Sequence, residues 1–509
     1  MRRMLPALAG LLLAGAAHAQ TAPAQPAAPG QSLRIMLRED PDILDPTLAH
    51  SYVGRIVFAS LCDKLFDIDE KLAIVPQLAS GYEWNDPTTL TIHLRPSVRF
   101  QDDTPMDAAA VKYTLERDLT MQGSFRRTKL KSVRSVDVID PQTVRITLKQ
   151  PDAGFLAQLT DRAGMILSPK EAEAEGKDFG LHPVCAGPFR FVERMPQDRI
   201  VLDRFSGYWN AGAIHFDRVT YLPVADSSVR LANLQAGATD LVEYILPTDA
   251  DAVKSNPKLR MVVAPSLGFQ YIVFNIGNGA RGDTPLGHDP RVRHAFELSL
   301  DTAAVVQVVY NGLYQPTAQT EPPETPFYIP GLNPPARDVA RAKALLKDAG
   351  VPLPVRVDLT VPNSPDVRQT AEVIQSMAQE AGFDVRINAM EFASSLQAAH
   401  SGDFNAYLIQ WSGRTDPDGN LFSFLHTGGA ENDGHYSNAD MDALLDQSQR
   451  VTDVAVRRDV YAKFWAIEQR DLPILYLWHT ALTVGMTARL QGYRPIPDGM
   501  IRLQGMSMQ

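Results

Sequence analysis

The chain has 509 residues, with 49 Lys+Arg against 59 Asp+Glu and a formal net charge of −10. That length exceeds what one hydrophobic core organises, so two or three lobes are expected. The acidic balance argues against a nucleic-acid partner, which needs a basic stripe, and two cysteines are too few for a disulfide framework or a zinc ribbon.

The first residues, "MRRMLPALAGLLLAGAAHAQ", carry Arg2 and Arg3, an apolar run over 5–14 and the small-x-small triplet Ala17-His18-Ala19. They read as a secretory signal peptide cleaved after Ala19, too short and wrongly flanked to remain as a membrane span. Residues 20–31, "QTAPAQPAAPGQ", read as a disordered lead-in rich in Pro and Ala. Removing residues 1–19 takes away two arginines and no acid, so the mature net charge is −12. No cysteine follows the cleavage point and no later stretch reaches the roughly eighteen apolar residues of a span. The mature chain is therefore expected free in the periplasm. That compartment permits Cys62 and Cys185 to bond, but the sequence leaves open whether they do or stay as two buried thiols.

Short alternating runs and amphipathic helices succeed one another throughout, an α/β reading. Residues 89–95, "TLTIHLR", and 142–150, "QTVRITLKQ", alternate as half-buried strands do. Between them Asp107 caps a helix whose Val111, Leu115 and Leu119 share one face. Further on, Asp289-Pro290 and Asp301 each open a helix, the second stopping at Asn311-Gly312. Residues 354–362, "PVRVDLTVP", form a strand; Ser364-Pro365 opens a helix that Gly382 closes; 383–392 is the next strand. A short helix and the strand 405–411, "NAYLIQW", follow, then helices from Asp440 and Thr452 and the strand 473–479. Strand, helix, strand in this rhythm makes parallel pairing the default. The loops after 362 and after 411 would then line the same sheet edge, where open α/β sheets bind ligands. The helix near Ser364 would also aim free N–H groups there.

The second of those loops lies in "WSGRTDPDGN", residues 411–420. As a calcium loop counted from Asp416 it fails, because Leu421 and Thr427 stand where glycine and glutamate are needed. Asp-Pro-Asp-Gly is instead a good β-turn sequence, with glycine allowing positive φ, and a stiff turn can hold Trp411 and Arg414 in place. "GNGARG" at 277–282 fits a dinucleotide fingerprint in spacing only, since "DTPLGHDP" follows with no helical periodicity. "RGD" at 281–283 is a chance tripeptide. His426 and His435 bracket a polar, glycine-rich run that reads as a solvated loop, with a bound metal chelate as the sharper alternative. Arg127, beside Arg126 in "GSFRRTK", is a candidate contact to an acidic ligand. No G-x-S-x-G, H-E-x-x-H or C-x-x-C motif is present, which argues against a secreted hydrolase.

Together "DILDP" (42–46), "LCDKLFDID" (61–69), "VPQLASGYEWND" (75–86), "AGPFRF" (186–191), "FSGYWN" (205–210), "DPRVRHAFELSLD" (289–301) and "YLIQWSGRTDPDGN" (407–420) carry a resemblance. The chain resembles the extracellular solute-binding proteins of the peptide/nickel-type ABC importers. The resemblance implies a two-lobed periplasmic binding protein (type II-like, cluster C) with an accessory α/β lobe. Lobe I would comprise 32–60, 185–270 and 480–509; accessory lobe II 61–184; and lobe III 271–479. The solute would lie between lobes I and III, which close by hinge bending. Peptide-binding relatives often place an aspartate after the tryptophan; here Arg414 stands nearest, with Asp416 two residues later. The pattern "SGR-x-DPDGN" is similar to the glutathione and short-peptide branch, where an arginine can hold a carboxylate bidentately.

The resemblance further implies that Trp411 offers a flat apolar face, Arg414 pairs with an anionic group, and Asp416 accepts an ammonium or braces Arg414. Asn363 and Ser364 would meet the far end of the solute. Ser51, Tyr52 and main-chain groups around Cys185 and Gly187 would reach in from lobe I. The expected protein is a monomer without enzymatic activity, cofactor or bound metal, handing a short peptide or peptide-like solute to an inner-membrane ABC permease and its ATPase. Nickel or other metal chelates, opines and oligosaccharides are the alternative cargoes on the same scaffold.

Overall fold

The computed structural model describes residues 31–509, so the export signal, its cleavage after Ala19 and nearly all of the lead-in lie outside the described residues. Apolar side chains gather into several cores. One is built from residues 33–62, 189–221 and 484–506, and it also takes in Met165, Leu167, Ala172 and Phe179. A second, spanning 65–166, packs on a four-stranded antiparallel sheet whose inner strands are Thr89–Leu94 and Thr143–Leu148. Helix Ala108–Thr120 lies in this core, and the Asp107 carboxylate accepts from Ala110 N as its cap. Two more cores fill residues 269–478 on either side of the main sheet.

That sheet has eleven strands and runs through both large lobes. From one edge the order is Phe383–Met390, Val355–Pro362, Ala406–Trp411, Leu259–Phe274, Ile474–Thr487, Leu241–Val242 and Ser32–Leu37, with three further strands beyond. Val355–Pro362 pairs in parallel with both neighbours, Leu359 lying opposite Ala406 and Thr360 opposite Tyr407. Parallel pairing sets the carboxyl ends of these strands at one edge, as the alternation of strand and helix suggested. Ser32–Leu37 also pairs in parallel with both its neighbours, and the remaining pairings are antiparallel, so the architecture is mixed.

Two long strands connect the lobes. Leu259–Phe274 and Ile474–Thr487 pair antiparallel along most of their length, with a register break between Pro265 and Phe269. Before the break Leu259–Phe274 is largely half-buried; after it every residue is buried. The strand thus leaves one core and enters another at Ser266-Leu267-Gly268, where pairing is weakest and a bend costs least. At the other junction Cys62 and Cys185 form a disulfide across 123 positions, their Cα atoms 4.9 Å apart. This settles the question the sequence left open. The bond fastens the end of helix Tyr52–Leu61 to the segment returning from the second core.

Local signals act as their chemistry requires. Pro365 starts helix Pro365–Ala381 and Gly382, at φ +103°, ends it. Asp301 caps Thr302–Tyr310, which stops at left-handed Asn311. Two details differ from expectation. The stretch read as a loop before Asp289 contains a one-turn helix, Pro285–His288, capped by Thr284. Gly419 is not at positive φ; it begins helix Asp418–Leu425, and a Cβ there would come within 2.8 Å of the Arg414 side chain. Close packing, not turn geometry, requires that glycine.

Candidate solute-binding crevice

The strands Val355–Pro362 and Ala406–Trp411 end side by side, and the residues that follow them face one cavity of about 240 Å³. Pro362, Asn363, Ser364, Trp411 and Ser412 form part of its wall, and Glu391 and Phe392 come from the end of the third parallel strand. The opposite wall comes from the other large lobe, with Arg38, Glu39, His50, Tyr52 and Tyr244. The two walls touch. Tyr244 Oη donates to Asp366 at 2.9 Å, Arg55 Nη1 donates to Ser412 Oγ at 2.9 Å, and His50 is hydrogen-bonded to Glu431. Aromatic rings (Tyr52, Tyr244, Tyr271, Phe392, Tyr407 and Trp411) supply most of the flat apolar surface.

The charges on this wall are unequal. Six carboxylates line it: Glu39, Asp40, Asp366, Glu391, Glu431 and Asp433. The facing cations are mostly committed. Arg38 is held by both oxygens of Glu243 (2.9 and 3.0 Å) and lies 3.9 Å over the Tyr244 ring. Arg230 spends its donors on the carbonyls of Val224, Ala225 and Tyr244. For Glu431 burial favours the neutral acid, but His50, with Lys129 behind it, holds the carboxylate below its usual range. Burial likewise opposes the His50 imidazolium, and Glu431 outweighs it. Glu39 makes no hydrogen bond or ion pair among the described residues. Burial pushes its carboxyl up to about 8, against the neighbouring Arg38 and with help from Glu391.

Trp411, Asn363, Ser364 and Tyr52 therefore share one cavity. The remaining expected residues lie outside its lining, each for a visible reason. Arg414 Nε is paired with Asp161 Oδ2 at 2.8 Å and its guanidinium lies 4.4 Å over Trp411, so its charge meets a fixed partner from the accessory region. Asp416 receives both arms of Arg457 at 2.8 Å, and its Oδ1 accepts from Asp418 N. Ser51 caps helix Tyr52–Leu61 through Gly54 N and donates to Asp42. Arg127 is exposed and turns onto the carbonyls of Leu119, Thr120 and Met121. Cys185 is in the disulfide, and a Cβ on Gly187 would lie 2.4 Å from the Leu61 backbone. His426 stacks on Phe422 instead of lining the cavity, and His435 sits at φ +50° in its loop. No group of three or more His, Cys, Asp or Glu side chains suited to a metal ion occurs among the described residues.

Sequence reasoning missed Glu39, Glu391, Asp366 and the His50–Glu431 pair. A signal existed for two of them: Asp366 and Glu391 follow the same parallel strands whose ends singled out Asn363 and Ser364.

Comparison with known proteins fits this geometry. Residues 73–432 match the family model described as bacterial extracellular solute-binding proteins, family 5 middle. The chain belongs to that family. The family-5 protein is 30% identical over 479 residues to the glutathione-binding protein GsiB of Pectobacterium atrosepticum, covering 91% of each chain. Its fold superposes on the periplasmic binding protein AgaA of A. tumefaciens R10, solved with agropinic acid (TM-score 0.86, 25% identity, 94% and 99% covered). It also superposes on the dipeptide-binding protein of Pseudoalteromonas sp. SM9913, solved with Met-Leu (TM-score 0.87, 22% identity, 94% and 100% covered); that likeness shows the fold alone. The family-5 protein is thus a two-lobed member of the bacterial extracellular solute-binding proteins. No helix among the described residues is long and apolar enough to cross a membrane.

Proposed function

We propose that the protein captures a short peptide or peptide-like solute in the crevice between its two large lobes and delivers it to an ABC permease of the inner membrane. The observation that carries this is one cavity walled by both lobes, with strand-end loops on one side and Tyr52, Tyr244 and Glu39 on the other. Its size and its alternation of aromatic faces with polar groups suit a solute with a polar backbone and short side chains. The break at residues 266–268 lets the connecting strands bend, and the cross-lobe contacts of Tyr244, Arg55 and His50 favour the closed form. The glutathione named for the GsiB relative and the agropinic acid bound by AgaA are likewise small, polar molecules, which supports a solute of that size in this crevice.

Export through residues 1–19, with cleavage after Ala19, completes the proposal and places the mature chain in the periplasm as a monomer. Trp411 provides the face on which the solute lies, and Asn363 and Ser364 contact it at the sheet edge. Isothermal calorimetry of the purified chain against di- and tripeptides, glutathione and nickel–histidine tests it. Saturable binding of a peptide or glutathione supports the reading; binding of the nickel chelate alone replaces it with the metal-carrier alternative.

A further inference from the structure

The crevice carries more negative charge than its neighbours absorb, and the excess is local. Asp40 is paired with Arg194 at 3.0 Å, and Glu431 with His50. Asp366 accepts from Tyr244 Oη, and Glu391 caps helix Phe392–His400 through Ser394 N. These bonds satisfy oxygens without neutralising charge, because a hydroxyl and an amide are the donors. Among the described residues Glu39 has no donor. It comes from one lobe and Glu391 from the other, and both line the same cavity. Tyr52, Tyr244 and Tyr407 line the same cavity, and aromatic faces favour a cation over an anion.

Taking the solute as peptide-like, as proposed above, we infer that it presents an ammonium or guanidinium to Glu39 of one lobe and Glu391 of the other, so that the crevice selects net-positive solutes and disfavours acidic ones such as glutathione. The cation sits where the lobes meet, stabilises the ionised form of the buried Glu39 and pairs with Glu391 of the other lobe, so solute binding and closure reinforce one another. An acidic solute meets the reverse: its carboxylates lie beside Glu391 and Asp366 and find no free cation in the lining, so like charge disfavours it.

The test is calorimetry of the wild-type chain with four probes that differ in charge: Lys-Ala, Ala-Ala, Glu-Ala and glutathione. The expected order is Lys-Ala tightest, Ala-Ala between, and the two acids weakest, with Lys-Ala on the order of tenfold or more tighter than Glu-Ala. Glu39→Gln and Glu391→Gln, checked for an unchanged thermal melt, are expected to weaken Lys-Ala while leaving Ala-Ala the less affected, flattening the order. Equal or tighter binding of glutathione or Glu-Ala by the wild type overturns the charge preference while leaving the peptide reading intact. A charge preference that both substitutions leave unaltered overturns the assignment to Glu39 and Glu391. Failure of all four probes to bind removes the peptide reading, and this inference with it.

Discussion

Two charged regions flank Trp411 and behave in opposite ways. Behind it, Arg55 and Arg414 share Asp161, and Arg457 clasps Asp416, all within 2.9 Å and largely out of water. In front of it, in the crevice and among the described residues, Glu39 has no partner and Glu391 and Asp366 meet only neutral donors. A buried charge with a complete partner contributes to holding elements together, and a charge left open toward a cavity is available to a ligand. Within the motif 411–420, Arg414 and Asp416 are held by partners behind the crevice while Trp411 and Ser412 line it, and the cavity-facing carboxyl groups come from plainer stretches.

The comparison can be broken on the bracing side first. Arg457→Ala leaves Asp416 buried without its partner and is expected to cost about 3–5 kcal/mol in urea unfolding. The folded fraction should keep its solute preference; a changed preference with little lost stability would move Asp416 into the site. Next in size, the double variant Cys62→Ser, Cys185→Ser is expected to lose about 2–4 kcal/mol by the same measurement, with the crevice chemistry unchanged. Gly413→Ala follows. Gly413 is at φ +71° and a Cβ would lie 2.0 Å from Leu267 O in the segment between the lobes. A cost of about 1–3 kcal/mol is expected, together with weaker solute binding because the strand break is disturbed.

The smallest effect sharpens the comparison through pH. The pair His50–Glu431 joins the lobes inside the crevice, with His50 raised and Glu431 lowered in pKa. Stability from His50 is fully present below its ordinary value of 6.5 and is lost as pH rises through the raised one. Stability from Glu431 is fully present above 4.5 and is lost as pH falls through the lowered one. Thermal melts should therefore show a plateau between these two ordinary values and a fall in stability on the alkaline side. Glu431→Gln is expected to remove that dependence, and a dependence that survives would place its origin elsewhere.

Much of the fold was legible. The alternation in 354–362 and 405–411, the caps Asp107 and Asp301 and the stops Gly382 and Asn311 each act locally, so the sequence shows them directly. Strand order led to the expectation that the loops 362–365 and 411–416 converge; Pro362 to Ser364, Trp411 and Ser412 share one cavity, whereas Arg414 and Asp416 lie outside its lining. What was illegible depends on distant partners. Nothing near Arg414 announces Asp161, nor near Asp416 announces Arg457, and His50 and Glu431 lie 381 positions apart. Arg414 and Asp416 read as ligand contacts because a charge in a loop shows its chemistry but not whether another segment has already taken it. Glu39 went unnoticed for the converse reason: "REDPD" at 38–42 looks like an ordinary polar turn until the opposite lobe closes over it.

The central claim is that solute occupies the crevice lined by the two strand-end loops and the opposing lobe. Asn363 is an exposed loop residue on that wall, so Asn363→Trp fills the crevice with little burden on folding. Native mass spectrometry of gently purified wild type and variant, both saturated with the same peptide, tests the claim directly. The expected result is a retained adduct on the wild type and its loss from Asn363→Trp at an unchanged melting temperature; equal retention by both proteins would contradict the claim.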